Sequence, residues 1–363
     1  MIQTAEQVLF PRAGQVEVRE VPVPHPGPGE LRLRITRAGI CATDLHLRDG
    51  HIGDPFPLVP GHEFIGVIDE VGPADVRGLA LGESVAVEML VPCQRCDRCR
   101  EGRYNLCQQD LDTPGPGRQL GVNIPDDAVP YAGGYASHLI VPAQAIVHRI
   151  PETVDPDAAV LVEPLAVACR AVSRGRVRSG ESVVIIGPGP VGLLCAAAAS
   201  AAGAAAVVVV GGRAERRTLS RSFGSTAQLD GRGEDLVSDV HRILPGGADV
   251  VIESAGSVDA QRTALMLVRR GGRVVLAGAC GAGPTLQIPS DELLLTREID
   301  LLPSFLSAGG FEPALALLAS GRFPFTSLVT HVYPLADVAR AFADIENRTE
   351  GLIKAVLVPE ERS

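Results

Sequence analysis

The sequence has no tryptophan and only 4 tyrosines and 9 phenylalanines in 363 residues, so it offers no indole face for stacking on a sugar ring. It also lacks an excess of positive charge. Asp and Glu number 43 against 33 Lys and Arg, a net charge of −10, which excludes nucleic acid as the expected partner, because a phosphate backbone calls for a basic face. No apolar run is both long and uninterrupted enough to span a bilayer. The stretch Met1 to Phe10 lacks the basic start and apolar core of a secretory signal. No membrane association is expected, and the reading is a soluble cytoplasmic protein. No internal repeat or low-complexity segment stands out. What is present is an ordinary globular balance, 46% hydrophobic and 21% charged, in a chain longer than one typical domain, so two lobes are expected.

The chain changes character midway. From Gln3 to Arg37, alternating segments (Val16 to Val21, Leu31 to Thr36) flank a Pro and Gly cluster, and strand-like segments recur at Gly66 to Glu70, Ser84 to Glu88 and Tyr135 to Val141. From Asp157 onward, helical spacing over Ala158 to Arg174 gives way to alternating β and α segments, with strands at Val183 to Ile186, Val207 to Val210, Asp249 to Glu253 and Arg273 to Ala277. Such alternation implies a doubly wound parallel sheet with right-handed crossovers. An amphipathic helix over Ala336 to Glu346 and a closing strand, Ile353 to Val358, end the chain.

At the centre lies Val183 to Gly192, an apolar run ending in a glycine-rich turn that opens an alanine-rich helix. Gly187, Gly189 and Gly192 fit the spacing G-x-G-x-x-G, in which the glycines serve a tight turn, close approach to a pyrophosphate and helix-on-strand packing. The phosphates would sit at the helix start, beside Pro190 and Val191, where free N–H groups favour an anion.

Eight cysteines are present, four of them at Cys93, Cys96, Cys99 and Cys107. The spacing C-x2-C-x2-C-x7-C lets four thiolates converge on a tetrahedral structural zinc. The polar residues between them are unlike a core segment, and an iron–sulfur cluster is the rival reading. A disulfide framework is not expected in a chain of this size and usage. Cys41, His62 and Glu163 are also good zinc ligands, but they are far apart in sequence. Each has a bland alternative: a small buried thiol, a satisfied turn histidine, a carboxylate in a first helical turn. Their spacing alone does not join them.

The segment Gly61-His62-Glu63-x-x-Gly66-x5-Gly72, with Gly39-Ile40-Cys41, Asp44 and His46, the Cys93 to Cys107 lobe, Gly187 to Gly192 and the closing Lys354-Ala-Val-Leu357, resembles the zinc-containing medium-chain dehydrogenase/reductase family of the alcohol dehydrogenase type. The resemblance covers essentially the whole chain. It implies that Cys41, His62 and Glu163 hold a catalytic zinc beside a structural one, two Zn2+ per chain. Glu63 would lie beside the catalytic zinc as an orienting or exchanging ligand, and Asp44 would orient a ligand by a hydrogen bond. Thr43 resembles the relay hydroxyl and His46 the outer, solvent-facing base; the alternatives are a local hydroxyl turn and a surface histidine. A glutamate where liver-type enzymes carry cysteine is similar to sorbitol and threonine dehydrogenases. The implied reaction is therefore hydride transfer between NAD(P) and a secondary alcohol (polyol, cyclitol or amino-alcohol) or its ketone. A conjugated-aldehyde reductase and a non-catalytic nucleotide-binding regulatory protein are the competing readings.

The second strand of the alternating region ends Val210-Gly211-Gly212-Arg213, followed by Arg216 and Arg217, and offers no carboxylate for the ribose hydroxyls. This resembles the Gly-x-Arg pattern of NADP-dependent secondary-alcohol dehydrogenases, so NADP is expected in preference to NAD, with Gly212, Arg213 and Arg217 in the cofactor set. The alternative reading of the arginines is a solvated helix start. Glu253 to Gly256 and Ala277 to Ala279, ending later strands, are placed near ribose and nicotinamide. The expected domains are a GroES-like β-rich catalytic domain over residues 1–155 and 292–363 and a Rossmann domain over 156–291, with the active site in the cleft between them. A homodimer or homotetramer is implied by the resemblance, and Pro284 to Pro289 is its candidate pairing edge.

Overall fold

The computed structural model describes residues 4–108, 118–124, 126 and 131–360. The chain forms two compact units: Met1–Glu163 with Phe325–Ser363, and Pro164–Pro324.

The first unit is built on a seven-stranded sheet in the order Val329–Pro334, Lys354–Val358, Leu31–Gly39, Glu63–Val71, Ser84–Val87, Val147–Arg149, with His138–Val141 also paired to Leu31–Gly39. Its pairings are antiparallel except that of Val329–Pro334 with Lys354–Val358. Along the central strand, Leu31, Leu33 and Ile35 are buried while Arg32, Arg34 and Thr36 are half-buried. That period of two puts one face in the core and leaves the other to charged side chains. The last strand brings the chain end back to the middle of this sheet, pairing Val356 with Gly39 and Leu357 with Ala38.

The second unit holds six parallel strands in the order Ala227–Asp230, Ala206–Gly211, Ser182–Ile186, Ala248–Glu253, Val268–Leu276, Asp300–Pro303. Numbered by their succession in the chain, these run 3-2-1-4-5-6. The order therefore reverses beside Ser182–Ile186, as in a doubly wound dinucleotide-binding sheet. Val183, Val184 and Ile185 are fully buried, which explains why this strand is an unbroken apolar run: helices cover both faces of a parallel sheet. Each such side chain contributes roughly 1.5–3 kcal/mol on burial. The fold class expected from the sequence, a Rossmann sheet with a β-rich GroES-like partner, is the one observed.

The divisions fall later than the sequence pattern suggests. Instead of 155/156, the first lies after Glu163; the short helix Pro156–Ala159 stays with the first unit, where Arg37 Nε meets Asp157 Oδ1 at 2.9 Å. Instead of 291/292, the second lies after Pro324, because Asp300–Pro303 adds to Arg273–Leu276 as the sixth strand. That strand has four residues and ends in proline, a position tolerated at a sheet edge but one that hides the strand signal. Pro284 to Pro289 pairs with no strand among the described residues.

Candidate active site

Register explains how distant residues meet. Gly39, at the end of one strand, pairs with Glu63, at the start of the next, so Cys41, two residues further on, is carried beside His62 and Glu63. Ligand atoms of Cys41, His62 and Glu63 lie within 4.8 Å of one another. His62 and Glu63 are buried and Cys41 is half-buried. Asp44, fully buried, braces the group twice. Its Oδ2 accepts from the Cys41 backbone N–H at 2.8 Å, and its Oδ1 lies 3.3 Å from His62 Nδ1, which leaves His62 Nε2 as the ring nitrogen free to ligate. Burial alone would strip the His62 ring of its proton. Asp44 and the Cys41 sulfur outweigh it, holding proton affinity well above the ordinary imidazole value. Tyr135, also buried, donates to Asp44 Oδ2 at 2.7 Å.

Behind Glu63 lies a buried cation. Lys354 Nζ forms an ion pair with Glu63 Oε2 and donates to the Ile40 carbonyl at 2.9 Å. Burial opposes its charge, but Glu63 and Cys41 raise its pKa above that of a free lysine.

Glu163 is buried in the first turn of the helix Val162–Arg174 and stands outside the group of converging ligand atoms. The residues brought together are thus Cys41 and His62 with Glu63. A thiolate, an imidazole and a carboxylate suit zinc, and three protein ligands leave the open position of a catalytic site. Thr43 Oγ1 lies 3.6 Å from Cys41 Sγ. His46, exposed, follows one turn later on the same helix, Ala42–Arg48, with its ring centroid 5.8 Å from that of His51.

Cys93, Cys96, Cys99 and Cys107 form the second convergent set. None is in a disulfide, and Cys96 Sγ lies 3.5 Å from Cys99 Sγ. Backbone N–H groups of Gln108 and Cys99 draw the Cys96 thiol down to about 6, whereas burial pushes Cys99 up to about 12; four thiols at one point cannot all ionise without a cation to hold them. Tyr104, within this lobe, donates to the buried Glu88 at 2.8 Å, and His148 Nε2 lies 2.9 Å from the same carboxylate, tying the lobe to the sheet.

In the second unit the glycines of the motif divide their roles. Gly187 has φ +100°, and a Cβ there would lie 2.8 Å from Ala255 backbone. A Cβ on Gly192 would lie 1.9 Å from the Gly187 carbonyl, whereas one on Gly189 would meet nothing within 4 Å. Turn geometry and packing thus require the outer two glycines, and the middle one faces open space at the start of the helix Pro190–Ala201, where Pro190 and Val191 are half-buried. Nearby, Glu253 accepts from the N–H groups of Ala255 and Gly256 at 2.6 and 2.7 Å, and Ala277 N donates to the Glu253 carbonyl at 2.9 Å. Arg213 stands just before the helix Ala214–Leu219. Arg217 is already committed, donating to the Gly211 carbonyl at 2.6 Å and pairing with Asp230 at 3.2 Å. A cavity of about 770 Å³ in this unit, lined among others by Cys169, Val172, Ala198, Leu317 and Arg322, contains none of these residues. Outside the two convergent sets, Cys195 is fully buried, while Cys169 and Cys280 are half-buried.

Lys354 and Tyr135 escape sequence reasoning, whereas the resemblance already places Glu63 beside the zinc. The only signal was the closing Lys354-Ala-Val-Leu357 motif, which gives no hint of what the lysine touches.

Fold and ligand set together define a zinc-dependent dehydrogenase linked to a nicotinamide cofactor. The family models agree. Residues 27–152 match the alcohol dehydrogenase GroES-like domain and residues 190–320 the zinc-binding dehydrogenase domain. D-xylulose reductase A of Aspergillus oryzae is 32% identical over 357 residues, covering 95% of each chain, and sorbitol dehydrogenase of Bombyx mori is 31% identical over 331 residues, covering 89% of this chain and 90% of that one. The crystal structure of a zinc-binding dehydrogenase target from Sinorhizobium meliloti bound to NADP superposes with a TM-score of 0.88 at 32% identity, covering 98% of this chain and 100% of that one. The chain belongs to the zinc-containing medium-chain dehydrogenase family, alcohol dehydrogenase type, and is a zinc-dependent, NAD(P)-linked alcohol oxidoreductase. Among the described residues no helix is long and apolar enough to cross a membrane.

Proposed function

We propose that the protein interconverts a secondary alcohol of polyol, cyclitol or amino-alcohol type and its ketone, with NADP preferred over NAD. The observation that carries this reading is the convergence of Cys41, His62 and Glu63 within 4.8 Å. Support for a polyol comes from the relatives named D-xylulose reductase and sorbitol dehydrogenase. Support for NADP comes from the NADP-bound relative and from the absence of a carboxylate after Val210. Conjugated-aldehyde reduction and a regulatory role without catalysis have no such support.

In this reading the unit of residues 1–163 and 325–363 carries the alcohol chemistry and the unit of residues 164–324 the dinucleotide. Cys41, His62 and Glu63 hold the catalytic zinc, with Glu163 available as an exchanging carboxylate, the reverse of the order implied by resemblance. The four lobe cysteines hold a second zinc. When bound, the metal supplies a Lewis acid for the substrate oxygen and the nicotinamide a hydride acceptor. Asp44 keeps His62 in the tautomer that ligates and fixes its ring. Lys354 holds Glu63 to one side of the group and balances its charge. The Thr43 hydroxyl takes the proton released at the substrate alcohol, and His46, three residues on along the same helix face, delivers it to water. Gly187, Gly189, Pro190, Val191 and Gly192 seat the pyrophosphate, Ala277 borders the nicotinamide end, and Gly212 and Arg213 border the adenosine ribose. The working form is a cytoplasmic homo-oligomer, and chromatography with light scattering tests it.

Turnover across a panel of polyols, cyclitols, amino-alcohols and simple secondary alcohols, each with NADP and with NAD, tests the proposal. Oxidation of a polyhydroxylated or amino-substituted secondary alcohol with NADP supports it. Turnover confined to conjugated aldehydes, or a strong NAD preference, overturns the corresponding part.

A further inference from the structure

Arg232 lies outside the set of residues that the sequence pattern assigns to the cofactor. It follows the strand Ala227–Asp230, two residues after Asp230, whose partner in the sheet is Gly211. The turn is held by Gly231 N donating to the Gly211 carbonyl at 3.3 Å and by Arg232 N donating to Asp230 Oδ1 at 3.0 Å. This aims the Arg232 side chain back over Gly212. A Cβ on Gly212 would lie 2.6 Å from Arg232 Nε and 2.9 Å from Nη2, so the guanidinium rests against the backbone at the carboxyl end of the second strand, one residue from Arg213.

Two of the carboxylates nearest this point are already engaged. Asp230 is paired with Arg217, whose guanidinium is further occupied by the Gly211 carbonyl. Glu215 faces Arg216. The Arg216 guanidinium loses proton affinity, first through burial and then through the nearby Arg213 charge, with Glu215 compensating only in part. The guanidiniums of Arg213 and Arg232 form no hydrogen bond or ion pair with any described side chain. Arg213 by its place in the chain and Arg232 by its guanidinium thus both adjoin Gly212, and arginine suits a tetrahedral dianion there because it binds phosphate bidentately. In a doubly wound sheet the end of the second strand is where the adenosine ribose lies.

We propose that Arg232, reaching across from the third strand, joins Arg213 in gripping the ribose 2′-phosphate of NADP, and that this pair sets the preference for NADP over NAD. The inference rests on the NADP reading above and adds a residue to it.

Isothermal titration of the zinc-loaded protein with NADPH, NADH, 2′-AMP and 5′-AMP tests it, on the wild type and on Arg232→Met, Arg232→Lys and Arg213→Met. Because the Arg232 side chain makes no hydrogen bond or ion pair among the described residues, the Met variant is expected to keep the wild-type melting temperature. The expected result is that Arg232→Met binds NADPH and 2′-AMP more than about tenfold more weakly, with NADH and 5′-AMP within about twofold of wild type, as loss of a charged contact to one phosphate predicts. Arg232→Lys should fall between. If the wild type itself binds NADH more tightly than NADPH, the underlying cofactor reading fails. If the wild type prefers NADPH but Arg232→Met binds all four ligands as the wild type does, or loses NADPH and NADH equally, the assignment of Arg232 is overturned while the cofactor reading stands.

Discussion

The phenol of Tyr135 donates to the Asp44 carboxylate at 2.7 Å with both side chains out of contact with water. Burial and the neighbouring Asp44 charge raise the Tyr135 pKa well above that of a free phenol, so it stays a donor throughout the working range. Since the other Asp44 oxygen faces His62, this chain of contacts fixes the proposed zinc ligand His62 from behind. Asp44→Asn is expected to weaken zinc binding at this site by about 10- to 100-fold. Metal retention against graded chelator measures it. Tyr135→Phe should cost about 1.5–3 kcal/mol in urea unfolding, the worth of a hydrogen bond to a buried charge.

Lys354 and Glu63 form a buried pair, and removal of one partner strands the other. Lys354→Met is expected to destabilise the protein by about 3–5 kcal/mol and Lys354→Met with Glu63→Gln by much less. A double-mutant cycle by denaturant unfolding gives the coupling, and additive losses would show that the two charges act separately.

In the second unit Asp249 accepts from the Ser182 N–H and hydroxyl and from Arg269 Nε, all at 2.7–2.8 Å. Burial would raise its pKa, but these bonds prevail and lower it below the usual carboxylate value. A depressed folded-state pKa gives stability that is present above the unfolded value, about 3.9, and is lost as pH falls toward the folded one. Asp249→Asn is therefore expected to cost about 1.5–3 kcal/mol at pH 7, with the gap to wild type closing as pH falls below about 5. A gap that stays constant from pH 7 down to about pH 2, well below the unfolded value, would contradict it.

A zinc held by Cys93, Cys96, Cys99 and Cys107 is proposed to stabilise their lobe. Cys96→Ser is expected to lose one zinc per chain and to lower the melting temperature, while NADPH binding persists because Gly187 to Gly192 lie in the other compact unit. Metal analysis and scanning calorimetry read this out.

How much was legible in advance follows from how local each feature is. Cys93 to Cys107 and Gly187 to Gly192 are short segments whose spacing alone carries the chemistry. The apolar runs of the parallel sheet are legible because burial on both faces leaves no polar residue within them. By contrast, Cys41 and His62 are joined only by the pairing of Gly39 with Glu63, which no local pattern shows, and family resemblance had to bridge them. The strand Asp300–Pro303 was hidden by its length and its proline. The helix Phe311–Ala319 was hidden because its buried and exposed faces differ little in polarity. No local pattern gives Lys354 or Arg232 a partner, since only the fold places one against the Glu63 carboxylate and the other against Gly212.

The most direct measurement is zinc content and alcohol-dependent NADP reduction on the wild type and Cys41→Ser side by side. The expected result is two zinc ions per chain with turnover in the wild type, and one zinc without turnover, the fold intact, in the variant. A Cys41→Ser protein that keeps both metal ions and wild-type turnover would contradict the account.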